Sequence, residues 1–175
     1  AFYMCTQASS ITLGNSATNI GDYAFRNFKI TTLTIPNTVE SIGQYAFASC
    51  SNLASITFPN QLKTIGNSAF YNCDALEAIT LPNSLTTIGA NAFDSSDYLK
   101  TITLGNGTGS NSLTTIAADA FKSCTAVSDI YCYADPTNLI WATTEHQNFK
   151  AGKETKCHVA SSAYDTWYTL ATNGN

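Results

Sequence analysis

Four of the six cysteines in the 175-residue chain fall at one recurring place. Cys5, Cys50, Cys73 and Cys124 each stand three residues after a phenylalanine, and Phe28 and Ser96 fill the same place in two further units. Thiols spaced in this way stack into a ladder, where metal binding, disulfide formation and plain packing are the available chemistries. Zinc needs several clustered nitrogen or sulfur ligands, and no histidine or second cysteine lies near any of the four. Only Cys50 and Cys73 occupy adjacent units, so only they could pair within the ladder. Packing as small buried side chains between coils is the reading adopted, because free cysteine behaves as a small hydrophobe.

The two histidines, His146 and His158, lie near Glu145 and Asp165. Imidazole beside carboxylate is raw material for acid–base catalysis. No Gly-x-Ser-x-Gly, His-Glu-x-x-His, phosphate-binding loop or dinucleotide fingerprint accompanies them. Charged residues make up 11% of the chain, too few to populate a catalytic cleft. The sequence therefore assigns no catalytic residue, no metal ligand and no cofactor, and reads as a non-enzyme.

The elements that position these residues come from an internal repeat. Ala-Phe recurs at Ala1-Phe2, Ala24-Phe25, Ala46-Phe47, Ala69-Phe70, Ala92-Phe93 and Ala120-Phe121, with the alanines 23, 22, 23, 23 and 28 residues apart. The long last interval holds a Gly/Asn/Ser loop, Gly105 to Asn111, where the previous unit has Pro82-Asn83. Four residues before each internal alanine stands Ile20, Ile42, Ile65, Ile88 or Ile116, followed by glycine or, in the last, Ala117. After each phenylalanine comes an apolar-polar-apolar triplet such as Leu33-Thr34-Ile35 or Ile79-Thr80-Leu81. Such alternation predicts a short strand whose outer residues enter the core and whose middle residue points out. Pro36, Pro59 and Pro82 stop the strand. A second apolar pair, as in Leu62/Ile65, is expected to pack on the opposite wall, with the phenylalanine between the walls and the small residue letting the next coil approach. One unit cannot bury both walls, whereas stacked units can.

The run Ile65-Gly66-Asn67-Ser68-Ala69-Phe70-Tyr71-Asn72-Cys73-Asp74-Ala75-Leu76-Glu77-Ala78-Ile79-Thr80-Leu81-Pro82 resembles the BspA-like leucine-rich repeat of bacterial surface proteins. The resemblance implies an α/β repeat solenoid: a right-handed coil of about 23-residue repeats with one short parallel strand each. Residues 1–131 read as the array, entered in mid-repeat, so the native protein is expected to extend upstream. Residues 132–175 resemble the C-terminal capping segment of such arrays. Within it, Cys132 and Cys157 are expected on neighbouring strands, either as a disulfide stapling the cap or as two more buried thiols.

A hydrophobic content of 44% supports a packed core, and twelve acids scattered among eight bases give a net charge of −4 with no basic patch. Nucleic acid is therefore not the expected partner. No stretch approaches the roughly 18 apolar residues of a membrane span, so membrane insertion is not expected either. Abundant Thr, Ser and Asn with sparse Lys and Glu suggest an extracellular or cell-surface location, which the resemblance also implies.

What remains for recognition is the outer face of the strands, with Thr34, Thr57, Thr80, Thr103 and Tyr131 in one outward line and Asp129 in the line beside it. The competing explanation is that threonine is simply a good exposed strand residue. Tyr131, Tyr133, Trp141, Tyr164, Trp167 and Tyr168 gather at the C-terminal end, and where that end meets the loop at 105–111 is the natural place for a hot spot. The expected function is a non-catalytic binding module that recognises a host or microbial surface protein. Glycan binding, or service as a spacer without a ligand, are the alternatives.

Overall fold

The computed structural model describes residues 9–135, 138–141 and 156–159. Two walls of parallel strands face each other across the coil. Five of the six apolar-polar-apolar triplets form strands, β2 (Thr32–Thr34), β4 (Ser55–Thr57), β6 (Ala78–Leu81), β8 (Thr101–Leu104) and β10 (Asp129–Cys132), and β12 (Lys156–Val159) of the tail joins them. The first triplet, Ile11-Thr12-Leu13, enters no ladder with β2 and is not a strand. The second wall, expected as apolar packing, is itself a six-stranded parallel sheet of two-residue strands. These are β1 (Asn19–Ile20), β3 (Ser41–Ile42), β5 (Thr64–Ile65), β7 (Thr87–Ile88), β9 (Thr115–Ile116) and β11 (Ile140–Trp141), hydrogen-bonded in that order. Each coil thus adds one rung to each wall, in register: Ile42 beside Ile65, then Ile88, then Ile116.

The described residues contain no helix, and the α component implied by the resemblance is replaced by turns. The reason lies in how backbone donors are routed. Within one coil, Ala46, Ala48 and Cys50 donate N–H back three residues to Gly43, Tyr45 and Phe47, at 3.4, 3.2 and 3.3 Å. The intervening Tyr45, Phe47 and Ser49 donate to Asn67, Ala69 and Tyr71 of the next coil at 3.0, 2.8 and 2.7 Å. Half the donors therefore leave the coil, which an α-helix does not allow. The alternation needs left-handed residues at two fixed places per unit, here Tyr45 (φ 53°) and Ser49 (φ 59°), and Ser68/Asn72 and Asn91/Ser95 repeat it. Each such residue costs about 1–2 kcal/mol of backbone strain, and bonds to the neighbouring coil offset it.

The phenylalanines form the spine. Phe25, Phe47, Phe70, Phe93 and Phe121 stack ring on ring at 5.2 to 5.3 Å between centroids, in the offset range that aromatic pairs favour. The last four are fully buried. Around them pack Ile30, Leu53, Leu76 and Leu99, also fully buried, each contributing roughly 1.5–3 kcal/mol of burial. Beyond Cys132, β11 and β12 extend the two ladders, while the rest of the capping segment expected over 132–175 lies outside the described residues.

Candidate functional site

The β2-to-β12 wall turns its middle residues outward. Thr34 sits beside Thr57, and Thr80, Thr103, Tyr131 and His158 form one continuous row. The parallel row is Ala78, Thr101, Asp129 and Lys156. Thr34, Thr57 and Thr80 are exposed, and Thr103, Tyr131 and Asp129 are half-buried. All six residues expected on this face therefore lie on it.

His158 belongs to the same face. Its ring stacks on Tyr131 at 4.3 Å and 9° between planes, and its Nε2 is 3.1 Å from Asp129 Oδ1. Ser128 Oγ donates to the other carboxylate oxygen at 2.8 Å. The sequence offered Asp165 as the neighbouring acid; Asp165, Glu145 and His146 lie outside the described residues. The available signal was the alternation Lys156-Cys157-His158-Val159, which places His158 outward once it is paired with β10.

The row is interrupted. β2 and β4 form one sheet and β6, β8, β10 and β12 another, so β4 and β6 are adjacent without a hydrogen-bonded ladder. A hollow of about 260 Å³ opens at this seam. Ile56, Phe58, Leu81 and Pro82 give it an apolar floor, and Thr57, Asn60, Thr80 and Asn106 give it an uncharged polar rim.

Asn106 comes from the loop inserted at 105–111, which Asn83 clamps. Asn83 Oδ1 accepts Asn106 N–H at 2.9 Å, and Asn83 Nδ2 donates to Asn106 Oδ1 at 2.7 Å and to Thr108 O. Thr108 also donates its backbone N–H and hydroxyl to Asn106 Oδ1, at 3.0 and 2.8 Å. On the other side the Tyr133 ring lies against Gly107, whose φ is +74° and whose missing Cβ would stand 3.1 Å from Tyr133 Cε1. Loop and C-terminal aromatic end do meet, as the sequence suggested. The side chains of Trp141, Tyr164, Trp167 and Tyr168 lie outside the described residues.

The cysteine ladder is structural. Cys50, Cys73 and Cys124 are buried free thiols, and each donates S–H to the carbonyl of the phenylalanine one coil back: Phe25, Phe47 and Phe93, at 3.3, 3.4 and 3.1 Å. Ser96 Oγ donates to Phe70 O in the same way at 3.4 Å. Serine therefore substitutes for cysteine with the same bond, whereas in the unit of Phe25 the place is filled by Phe28, whose ring is buried edge-on to Phe25 at 5.5 Å. Cys157 is the register partner of Ile130, and Cys132 that of Val159; the side chain of Cys157, and with it the expected disulfide, falls outside the described residues.

Burial pushes the Cys50 and Cys124 thiols up to about 12 from an ordinary 9.0, and raises the Cys73 thiol in the same direction. The thiolate is the reactive form, so alkylation of these three cysteines at pH 8 is expected to follow unfolding, read by mass spectrometry across a denaturant series. Because these groups are raised on folding, the stability they contribute is intact below pH 9.0 and is lost as pH rises through about 12. Alkylation at the rate of a free thiol in the folded chain would contradict this.

Among the described residues no helix is long and apolar enough to cross a membrane, and no group of three or more His, Cys, Asp or Glu side chains could hold a metal ion. The family model described as BspA type leucine-rich repeat region matches in six copies, over residues 1–100 and 42–140. No curated protein sequence matches the chain. Two solved structures are similar in fold. The T. pallidum leucine-rich repeat protein TpLRR is 23% identical, with 90% of this chain and 78% of that chain covered and a TM-score of 0.64. The pneumococcal vaccine antigen PcpA is 21% identical, with 93% of this chain covered and a TM-score of 0.69. The chain spans 39% of the PcpA chain.

Proposed function

Because the chain belongs to the BspA-type leucine-rich-repeat family, we propose that it is the non-catalytic binding module of an exported, surface-displayed bacterial protein and recognises a host or microbial surface protein through its outer strand face. The observation that carries this reading is the outward row itself. Threonine hydroxyls run along the face and end in the stacked Tyr131 and His158 beside Asp129, so a polar strip terminates in an aromatic anchor of the kind that dominates protein interfaces. A rigid, repeated backbone holds the strip without ordering cost on binding, which favours affinity. The fold it shares with a pneumococcal vaccine antigen supports the surface location.

The test is capture of extracellular-matrix and cell-surface proteins on the immobilised chain, alongside a variant with Thr57, Thr80 and Thr103 all changed to lysine. Three desolvated or repelling ammonium groups in a row should abolish saturable binding, with circular dichroism unchanged because the positions face solvent or are half-buried. Equal capture by the variant would remove the strip from the interface.

A further inference from the structure

The seam between β4 and β6 coincides with one residue. At the inward position closing each triplet the chain has Leu13, Ile35, Leu81, Leu104 and Cys132, but Phe58 in the third unit. The Phe58 ring stands edge-on to Phe70 at 5.6 Å and 86°, filling core space that smaller side chains fill elsewhere, and no ladder joins β4 to β6 beside it. The opposite wall stays bonded across the same two coils, Thr64 to Thr87 and Ile65 to Ile88. In the turns Ser68 N–H still reaches Ala90 O at 2.8 Å. The two coils are therefore fixed at solenoid spacing, and the seam cannot admit an added strand. It admits only something that sits in the hollow.

The hollow is small, below the roughly 300 Å³ at which drug-sized pockets begin, and none of its lining residues is charged. Its polar groups are also uncommitted. The hydroxyls of Thr57 and Thr80, the Asn60 amide and the Nδ2 of Asn106 make no hydrogen bond within the described residues. Asn106 is held by three donors on its Oδ1, which fixes its orientation and leaves the amide N–H groups pointing away from those partners. Preorganised neutral donors and acceptors around an apolar floor match a ring with hydroxyls at its edge and C–H groups on its face. We infer that this hollow is a binding site for a single neutral sugar ring, a pyranose with no carboxylate, phosphate or amine. Asn106, Asn60, Thr57 and Thr80 bond its hydroxyls, and the half-buried Ile56 lies under its apolar face.

The site goes beyond the protein-binding strip, with which it shares Thr57 and Thr80, and variants at Asn106 and Phe58, outside the strip, separate the two. The ¹⁵N-labelled chain is titrated with methyl glycosides of neutral hexoses and N-acetylhexosamines, and with glucuronic and sialic acids as charged controls, while amide shifts are followed. At least one neutral glycoside is expected to give saturable shifts at Ile56, Phe58, Thr80 and Asn106, with the acids bound more weakly. Asn106→Ala, in an exposed loop, is expected to weaken binding roughly five- to tenfold. Phe58→Leu, which restores the side chain found at position 81, is expected to close the seam, abolish the shifts and leave protein capture by the threonine row unchanged. The site is disproved if no neutral glycoside shifts these amides, if the acids bind equally well, or if Asn106→Ala leaves affinity unaltered. Shifts that persist in a folded Phe58→Leu chain would overturn the role of Phe58. Loss of glycoside binding with intact protein capture separates this site from the strip, and an absence of glycoside shifts in a chain that still captures protein refutes only the sugar site.

Discussion

Replacing Phe70 with alanine is expected to lower the unfolding free energy by about 3–5 kcal/mol. The ring is fully buried, stacks on Phe47 at 5.3 Å and on Phe93 at 5.2 Å, and receives the edge of Phe58. Collapse of the surroundings cannot offset its loss. The coils are held apart at fixed spacing by backbone bonds such as Phe47 N–H to Ala69 O at 2.8 Å and Phe70 N–H to Ala92 O at 2.7 Å. In a solenoid each unit is stabilised by its neighbours, so a void at Phe70 also uncouples the Phe25–Phe47 half of the spine from the Phe93–Phe121 half. Urea denaturation gives the magnitude, and amide exchange should show the coils on either side of Phe70 opening first. Tyr98→Ala provides the control. Tyr98 is 59% exposed, so the same loss of an aromatic ring there should change stability by no more than about 0.5 kcal/mol. A Phe70→Ala cost below about 1.5 kcal/mol would mean that the core repacks and that the spine does not set the coil spacing.

The spine and strands β2, β4, β6, β8 and β10 were legible because they depend on side-chain alternation, which a repeat multiplies, although the same alternation at Ile11-Thr12-Leu13 forms no strand. Leu33-Thr34-Ile35 alone is three residues; the same pattern recurring in phase with Ala-Phe assigns strand, face and register together. The turns were not legible, because their determinant is where backbone donors go. Tyr23 and Tyr45 adopt φ of 57° and 53° with no glycine or asparagine to announce it, and the left-handed conformation is stabilised by the next coil rather than by the residue's own preference. For the same reason the second wall read as apolar packing: Thr64-Ile65 and Thr87-Ile88 are too short to show a period, and become strands only through pairing.

On the outer strand face, sequence placed Thr34, Thr57, Thr80, Thr103, Tyr131 and Asp129 outward but treated the row as uniform. Its interruption falls beside Phe58, one aromatic ring in a column of Leu, Ile and Cys. The partnership of His158 with Asp129 required the register of β12 on β10, a long-range pairing that local spacing does not carry. The clamp on the inserted loop is of the same kind: Asn83 and Asn106 are 23 residues apart, one coil, yet an asparagine in a turn carries no mark of its partner.

The glycine column provides the second large effect, because there the limit is backbone against backbone. A Cβ on Gly66 would stand 2.8 Å from Gln44 N and 2.8 Å from Gly43 C, and one on Gly89 2.7 Å from Asn67 N. Neither neighbour can shift aside cheaply: Gly43, Gly66 and Gly89 each donate N–H to the isoleucine carbonyl one coil back, at 2.8 Å. Gly66→Ala should therefore force two coils apart along a line of hydrogen bonds and cost about 1–3 kcal/mol, the range for overpacking in a close-packed interior. The chain itself shows the direction of the strain. Where Ala117 takes the glycine place, its own N–H still reaches Ile88 O at 2.9 Å, while the adjoining bond from Asn91 N–H to Ala118 O is 3.3 Å, against 2.8 Å for Ser68 N–H to Ala90 O one coil earlier. Gly21 occupies the same position in the repeat but has nothing within 4 Å of its missing Cβ, and its φ is not in the left-handed region. Gly21→Ala in the 175-residue chain should be neutral or stabilising by up to about 1 kcal/mol, since alanine restricts the unfolded chain more than glycine does. Thermal and urea unfolding of the two single variants decide the matter. A clear cost at Gly66 with none at Gly21 assigns the column to coil approach, whereas equal costs would mean that glycine is there for its backbone conformation and that spacing is set elsewhere.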